Sequence, residues 1–153
     1  MKEFQWKILH RIIYTEHKLQ MMNRSNGKCH LFNGNSETLS HLFFNCDFTE
    51  QLMQITKQNI VDKIPGLANA DIFNEENMIF GEQDEGNMQM LINTIIITLK
   101  WTVWKERNII KYQHKAQTIH SAFIIQKNIL KTNILMYSHG TPTDKLKVLY
   151  DLL

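Results

Sequence analysis

Hydrophobic residues recur every three or four positions along most of the chain, which is the spacing typical of α-helices with one apolar face. In the first half this pattern predicts four helices. The first has Phe4, Ile8 and Ile12 on one face with Leu9 and Ile13 beside it, and the second is a short helix capped by Thr15 that runs through Leu19 to Met22. The third is a short helix through Leu39, Leu42 and Phe43 with Ser36 as candidate cap, and the fourth runs from Phe48 to about Lys63. The polar, glycine-containing stretch 23–35 is predicted to be a loop.

The second half has longer helical periods. Residues 66–86 hold only isolated apolar pieces among carboxylates, so we expect a connector there with room for one short helix. Apolar residues then follow a helical period from Met88 to about Tyr112. A further helix is expected on the face of Ile119, Phe123, Leu130 and Ile134. Together these two runs predict a helical hairpin.

The end of the chain carries signals for a last short helix. Gly140 suits a helix stop, and the new helix would end at Leu153. Its first positions suit Thr141, Pro142 and Asp144. Only six Gly and two Pro are present, which argues against a sandwich or barrel with many tight turns. We therefore predict an all-α protein of about six helices.

Three segments are predicted from this organisation. Residues 1–64 would form an N-terminal region around a cluster of cysteine and histidine, 65–86 an acidic connector, and 87–153 a helical C-terminal region. The connector is acidic, while the chain between positions 87 and 135 carries seven Lys or Arg and one Glu. This basic stretch either forms solvated helix faces or offers a surface to phosphate backbones, and the sequence leaves both open.

Several classes of function are disfavoured by the sequence. Two cysteines do not make a disulfide-rich scaffold, no signal peptide is visible, and the most apolar stretch, 90–104, is too short for a membrane span. We therefore expect an intracellular protein, nuclear or cytoplasmic, with no membrane partner. No P-loop, dinucleotide glycine pattern, HExxH or triad is present, so neither an enzyme nor a small-molecule substrate is expected.

One group of residues has the chemistry of metal ligands. Cys29, His41 and Cys46 are spaced as Cys-x11-His-x4-Cys. A closed structural zinc site needs four ligands, and a Cys-x2-Cys turn would place the fourth at position 32, where Phe32 cannot bind metal. The two cysteines could instead be small buried apolar residues and the histidine a core residue.

Two alternatives remain around this group. His30 or Asp47 could supply the missing ligand, although the spacing does not require it. Glu37, four residues before the histidine, is interpreted as a partner of a helix dipole and not as a catalytic base.

The residues around this group resemble a known family. Positions 37–46, E-T-L-S-H-L-F-F-N-C, resemble the E-T-x-x-H-L-F-x-x-C signature of the zinc-binding region that follows the polymerase in non-LTR (LINE-type) retrotransposon reverse transcriptases. Positions 4–22 resemble the helix that precedes the first cysteine there. Positions 79–81 and 101–108 resemble the I-F-G and W-x-I-W-K-x-R-N blocks near the C-terminus of such proteins. The resemblance covers most of residues 3–112.

The resemblance implies a helical domain held by a zinc knuckle that contacts nucleic acid. Cys29, His41 and Cys46 match three of the ligands, and Phe32 stands at the fourth. The implied function is that of a non-catalytic accessory domain that binds RNA or DNA. In the family a polymerase lies upstream, so the chain is interpreted as a fragment that lacks it. Three bound ligands plus water could still hold zinc as a cofactor.

Candidate nucleic-acid contacts lie in the first long helix of the second half. They are Lys100, Lys105, Arg107 and Lys111, with Trp104 as a stacking residue near Trp101 and Tyr112. The alternative is that these aromatic residues are core. The alternative function is a helical protein-interaction module, or a decayed retroelement fragment with no selected activity.

Overall fold

The computed structural model describes residues 1–31, 34–68, 70–83, 88–116 and 118–137, and positions 147, 150, 151 and 153. Over these residues the longer elements are six α-helices, namely α1 Lys2–Leu9, α2 Glu16–Met21, α3 Asp47–Asn59, α4 Glu75–Phe80, α5 Gln89–Gln113 and α6 Ile119–Tyr137. A π-helical turn, His41–Asn45, precedes α3 and a 3₁₀ turn, Val61–Lys63, follows it. The all-α prediction is therefore confirmed.

Helix α1 ends earlier than the apolar spacing predicts. Arg11 adopts a left-handed conformation with φ of 53°, and the N–H of Ile12 donates to the carbonyl of Lys7. This hydrogen bond is the mark of a Schellman C-terminus, which reverses the chain direction. Ile12 and Ile13 thus lie beyond the helix, where Ile13 is buried and Ile12 is exposed. The prediction of one continuous helical face through Ile12 was wrong for this reason.

The short helix before α3 is capped by a different residue from the predicted one. The hydroxyl oxygen of Thr38 accepts a hydrogen bond from the N–H of His41 at 3.0 Å. The Ser36 hydroxyl lies instead 3.1 Å from Nδ1 of His17. Thr15 does cap α2 as predicted, with its hydroxyl accepting from the N–H of Lys18.

Helix α3 is shorter than predicted. It ends at Asn59, and Ile60 leaves the helical conformation with φ of −124°. Ile60, Val61 and Ile64 are nevertheless buried, so the apolar sequence continues into the core without continuing the helix. The connector then contains α4, which is the one short helix that the sequence allowed there.

The core is formed where the α5–α6 hairpin packs against α3. Leu99 and Val103 of α5, Leu130 of α6 and Leu52 of α3 are all fully buried in one cluster. That cluster also contains Phe4 and other residues from the N-terminal part. The predicted limits of the three segments stay a prediction.

Two further points complete the fold. No described helix is long and apolar enough to cross a membrane. The residues predicted to open the last short helix, Gly140, Thr141, Pro142 and Asp144, lie outside the described residues.

Candidate metal centre

Three separate pieces of chain position Cys29, His41 and Cys46. Cys29 lies in the loop, where its N–H donates to the carbonyl of Asn35 beside an isolated β-bridge. His41 opens the π-helical turn, and Cys46 is the residue immediately before α3. The turn therefore brings His41 and Cys46 against the loop from one side.

The ligand atoms of these residues converge on one point. The two Sγ atoms are 3.9 Å apart, and all three ligand atoms lie within 4.8 Å of one another. Sulfurs bound to one tetrahedral zinc at about 2.3 Å lie about 3.8 Å apart, so the observed separation suits a shared ion. It is far longer than a disulfide bond of about 2.05 Å, so the two cysteines do not form a disulfide.

The imidazole of His41 gives an independent indication of a missing partner. His41 is only 7% exposed, and its Nε2 is buried with no hydrogen-bond partner among the described residues. A buried polar atom without a partner costs free energy, and native proteins rarely leave one so. A zinc ion bound to Nε2 would satisfy it, so the donor set fits this metal.

The environment of Cys46 favours the thiolate, which is the form that binds metal. A hydrogen bond from Cys29 and backbone N–H groups of Phe48 and Thr49, at the start of α3, lower the pKa of Cys46 to about 7, although burial opposes them. A substantial fraction of this thiol is therefore ionised near neutral pH before any metal binds.

The fourth ligand is not supplied by the described residues. The metal-competent cluster in the described part of the chain has three members. His30 instead places its Nε2 3.3 Å from Oε1 of Glu16, and Asp47 is exposed in the first turn of α3. Phe32 itself lies outside the described residues.

A buried ion-pair network that the sequence does not predict lies beside the cluster of Cys29, His41 and Cys46. The Arg107 guanidinium donates to Glu37 Oε1 at 2.8 Å and to Glu16 Oε1 at 2.5 Å. Arg107 is 1% exposed, Glu37 0% and Glu16 3%. Glu37 is therefore a partner of Arg107, and its Oε1 also accepts the N–H of Glu16, the first residue of α2. It lies at the N-terminus of α2, and not in the first turn of the helix before α3 as interpreted from the sequence. The one available signal was that both residues lie within the family-like blocks.

The predicted nucleic-acid contacts are divided by their burial. Lys100 and Arg107 are buried and offer no surface to a polyanion in this conformation. Lys111 pairs with Glu16 and is mostly buried, whereas Lys105 is exposed. Trp104 is half-buried with the Arg107 guanidinium 4.9 Å from its ring centroid. Contact with nucleic acid stays a prediction for all of them.

An aromatic groove lies between α1 and α5. Its lining includes the aromatic side chains of Tyr14, Trp101, Trp104 and Tyr112, and its volume is about 650 Å³. Phe4 supports the floor, with its ring edge-on to Trp101 at 5.0 Å. The two tyrosines are exposed, by 54% for Tyr14 and 68% for Tyr112, so the groove presents aromatic rings to solvent.

Comparison with known proteins agrees with this centre. Residues 1–52 match the family model described as zinc-binding in reverse transcriptase. No curated protein matches the chain, and no solved structure does. The matched range contains all three residues of the Cys29–His41–Cys46 cluster. The N-terminal third of the chain is thus similar to the zinc-binding region of reverse transcriptases.

Proposed function

We propose that this chain is a non-catalytic, nucleic-acid-binding accessory domain derived from a LINE-type retrotransposon reverse transcriptase. In this proposal Cys29, His41 and Cys46 hold a structural zinc ion. The observation that carries it is the buried cluster of two thiols and an unpartnered imidazole nitrogen inside the matched range. The ancestry from a LINE-type element rests on the resemblance of the sequence blocks.

The zinc ion would act as a crosslink between pieces of chain. It would join the loop at Cys29 to the π-helical turn and to the start of α3. The protein's own residues already orient the ligands, because Thr38 caps the turn and the Cys29 N–H is held by Asn35. Metal binding of this kind contributes directly to folding free energy.

The aromatic groove supports the nucleic-acid part of the proposal. Stacking of a base on an aromatic side chain contributes about 1–3 kcal/mol and tolerates any base. Tyr112 and Tyr14 are exposed enough to stack. Lys105 is exposed on α5 and would contact phosphates, whereas Lys7 in the groove lining already pairs with Glu3 at 2.7 Å. Single-stranded RNA or DNA would suit this surface better than a duplex, whose bases are already stacked.

Zinc content tests the first half of the proposal. We expect about one zinc per chain after purification in zinc-containing buffer, as a three-residue site implies, measured by elemental analysis. Cys46→Ser should lose the metal, because serine does not supply a thiolate. Glu50→Gln is the matched control, since this exposed residue of α3 lies outside the cluster and its replacement should keep the metal. Zinc-free protein with the melting temperature unchanged by zinc would contradict the metal site.

Oligonucleotide binding tests the second half. A fluorescent single-stranded oligonucleotide should bind at low salt, and its affinity should fall steeply as salt rises. Tyr112→Ala should weaken binding by about tenfold through lost stacking, while Tyr150→Ala, at an exposed tyrosine outside the groove lining, should not. Zinc-loaded protein that binds neither RNA nor DNA would refute nucleic-acid binding.

That last outcome would favour the second candidate function, a helical protein-interaction module. Helix α6 exposes Ile124 by 48%, Leu135 by 55% and Met136 by 64%. Leu135 and Met136 are adjacent at the end of this helix, where a protein partner would cover them.

A further inference from the structure

A second groove, distinct from the aromatic one, lies between α1, the end of α4 and the start of α5. Its volume is about 560 Å³, which is within the usual range of small-molecule sites. Four large apolar side chains on its walls are exposed, which are Trp6 at 50%, Leu9 at 42%, Phe80 at 56% and Met90 at 52%. Among the described lining residues it shares only Met1 with the aromatic groove.

A buried amine lies at the base of this groove. Lys100 is 0% exposed, and its Nζ donates to Oε1 of Gln5 at 2.6 Å. No carboxylate among the described residues forms a salt bridge with it. Burial lowers the pKa of Lys100 to about 7. A buried ammonium without a counter-charge is strongly disfavoured, so an anion brought to this position would gain an unusually strong interaction.

The charged side chains among the described residues that line the groove are of one sign, and Glu82, whose backbone contacts the lining residues Gln89 and Asn93, is not among them. The described lining residues include two amines, Lys2 and Lys100, and no carboxylate. The Gln5 side chain occupies the space in front of the Lys100 amine, while its own Nε2 donates to the carbonyl of Ile79 at 3.1 Å. Gln5 thus presents a neutral oxygen at the place where a carboxylate oxygen would bind the amine more strongly.

We propose that this groove binds an apolar organic anion, a molecule with one carboxylate and a hydrocarbon body of the fatty-acid type. The carboxylate replaces the Gln5 oxygen on Lys100, and the hydrocarbon covers the walls at Trp6, Leu9, Phe80 and Met90. The site is independent of the zinc and nucleic-acid proposals. It departs from the expectation, drawn from motifs alone, that no small molecule binds.

Titration with dodecanoate, compared with dodecanol, tests the charge requirement. Both probes are used below their micelle-forming or solubility limits, with isothermal titration calorimetry on the whole chain. We expect saturable binding of dodecanoate, tighter than that of dodecanol by about tenfold or more. Lys100→Met keeps the length of the side chain, removes the amine, and should reduce the dodecanoate affinity to that of the alcohol. Equal affinities for the two probes in the unmodified protein would overturn the proposal.

Gln5→Glu gives a second test that does not depend on removing a buried residue. This variant places a carboxylate on Lys100 from the protein itself, at the cost of the hydrogen bond from Gln5 Nε2 to the carbonyl of Ile79, and it should abolish dodecanoate binding. Ile124→Glu is the matched control, because it adds the same charge on α6 outside the groove lining and should leave binding unchanged. Undiminished dodecanoate binding by Gln5→Glu, or binding that never saturates, would show that the anion does not reach Lys100.

Discussion

Replacing Arg107 by methionine should be among the most damaging single changes in this protein. The guanidinium is 1% exposed and donates to both oxygens of Glu37, with Nε–Oε1 at 3.1 Å and Nε–Oε2 at 3.3 Å. It also donates to Glu16 and to the backbone carbonyl of Tyr14. Methionine keeps much of the apolar stem but supplies none of these hydrogen bonds.

The two carboxylates would be affected unequally. Glu16 keeps the Lys111 ammonium and the Ser25 hydroxyl as donors. Among the described residues Glu37 keeps only the N–H of Glu16, at 2.9 Å, and it is fully buried. Breaking a buried ion pair on one side costs about 3–5 kcal/mol. The free energy of unfolding of a typical domain is about 5–15 kcal/mol, so this loss is a large share of it.

Urea unfolding followed by circular dichroism measures this loss. Lys105→Met is the matched control, because that lysine is exposed on the same helix and its replacement should change stability by less than about 0.5 kcal/mol. The double variant Arg107→Met/Glu37→Leu removes the stranded charge as well. Its loss of stability should be smaller than the sum of the losses of the two single variants by about 1–3 kcal/mol.

The loss should also depend on pH. Burial raises the pKa of Glu16, but hydrogen bonds from Lys111 and Ser25 and the charge of Arg107 outweigh it and lower the pKa overall. The unmodified protein therefore loses this stabilisation as pH falls below the usual pKa of a glutamate, and its margin over Arg107→Met should shrink there. A loss for Arg107→Met no greater than for Lys105→Met, or as large at about pH 3 as at about pH 7, would refute the reasoning.

Three further predictions concern other buried or missing groups. Lys100→Met should stabilise the fold at about pH 7, because burial lowers the pKa of Lys100 below that of the amine in the unfolded chain. The gain should shrink towards about pH 10, because the unmodified protein regains up to about 1.4 kcal/mol of stability per pH unit as the pH approaches the pKa of the unfolded amine. Urea midpoints measured at each pH test this. Glu106 is 0% exposed, its carboxylate oxygens lack hydrogen-bond partners among the described residues, and burial raises its pKa. Glu106→Gln removes the buried charge, so it should stabilise the fold near neutral pH and do so less as pH falls towards about 4, where the unmodified carboxyl is protonated; a gain independent of pH would contradict this. Phe32→Cys should tighten zinc binding, and zinc at about 100 times its dissociation constant should add about 2.7 kcal/mol of stability in calorimetry; an unchanged zinc affinity would show that position 32 does not face the ion.

The helices of the second half were predictable because their signal is local. Apolar periodicity from Met88 onwards predicted a helix to about Tyr112, and the structure has one from Gln89 to Gln113. The ends of α1 and α3 were not predictable from the same signal. Ile12 and Ile60 continue an apolar pattern, but the chain turns at both places, which buries Ile13 and Ile60 and leaves Ile12 exposed.

The candidate metal centre was partly predictable for a chemical reason. The chain has only two cysteines, and both lie at zinc-finger-like spacing from one of its seven histidines, so this group stands out. The fold brings Cys29, His41 and Cys46 within ligand distance of one another. The fourth position could not be settled in the same way, since a neighbour such as His30 was an equal candidate until its contact with Glu16 was seen.

The sequence by itself determined the helical class, the hairpin and the identity of the three clustered candidate ligands, because each depends on spacing within a short stretch. Only the tertiary structure decided which charges are available to a partner. Arg107 and Glu37 are 70 residues apart and neutralise each other in the core. Lys100 is enclosed by α1, on which Gln5 meets it from 95 positions away. A lysine or arginine on a helix looks the same in sequence whether it faces water or a distant carboxylate, and packing between helices alone separates the two cases.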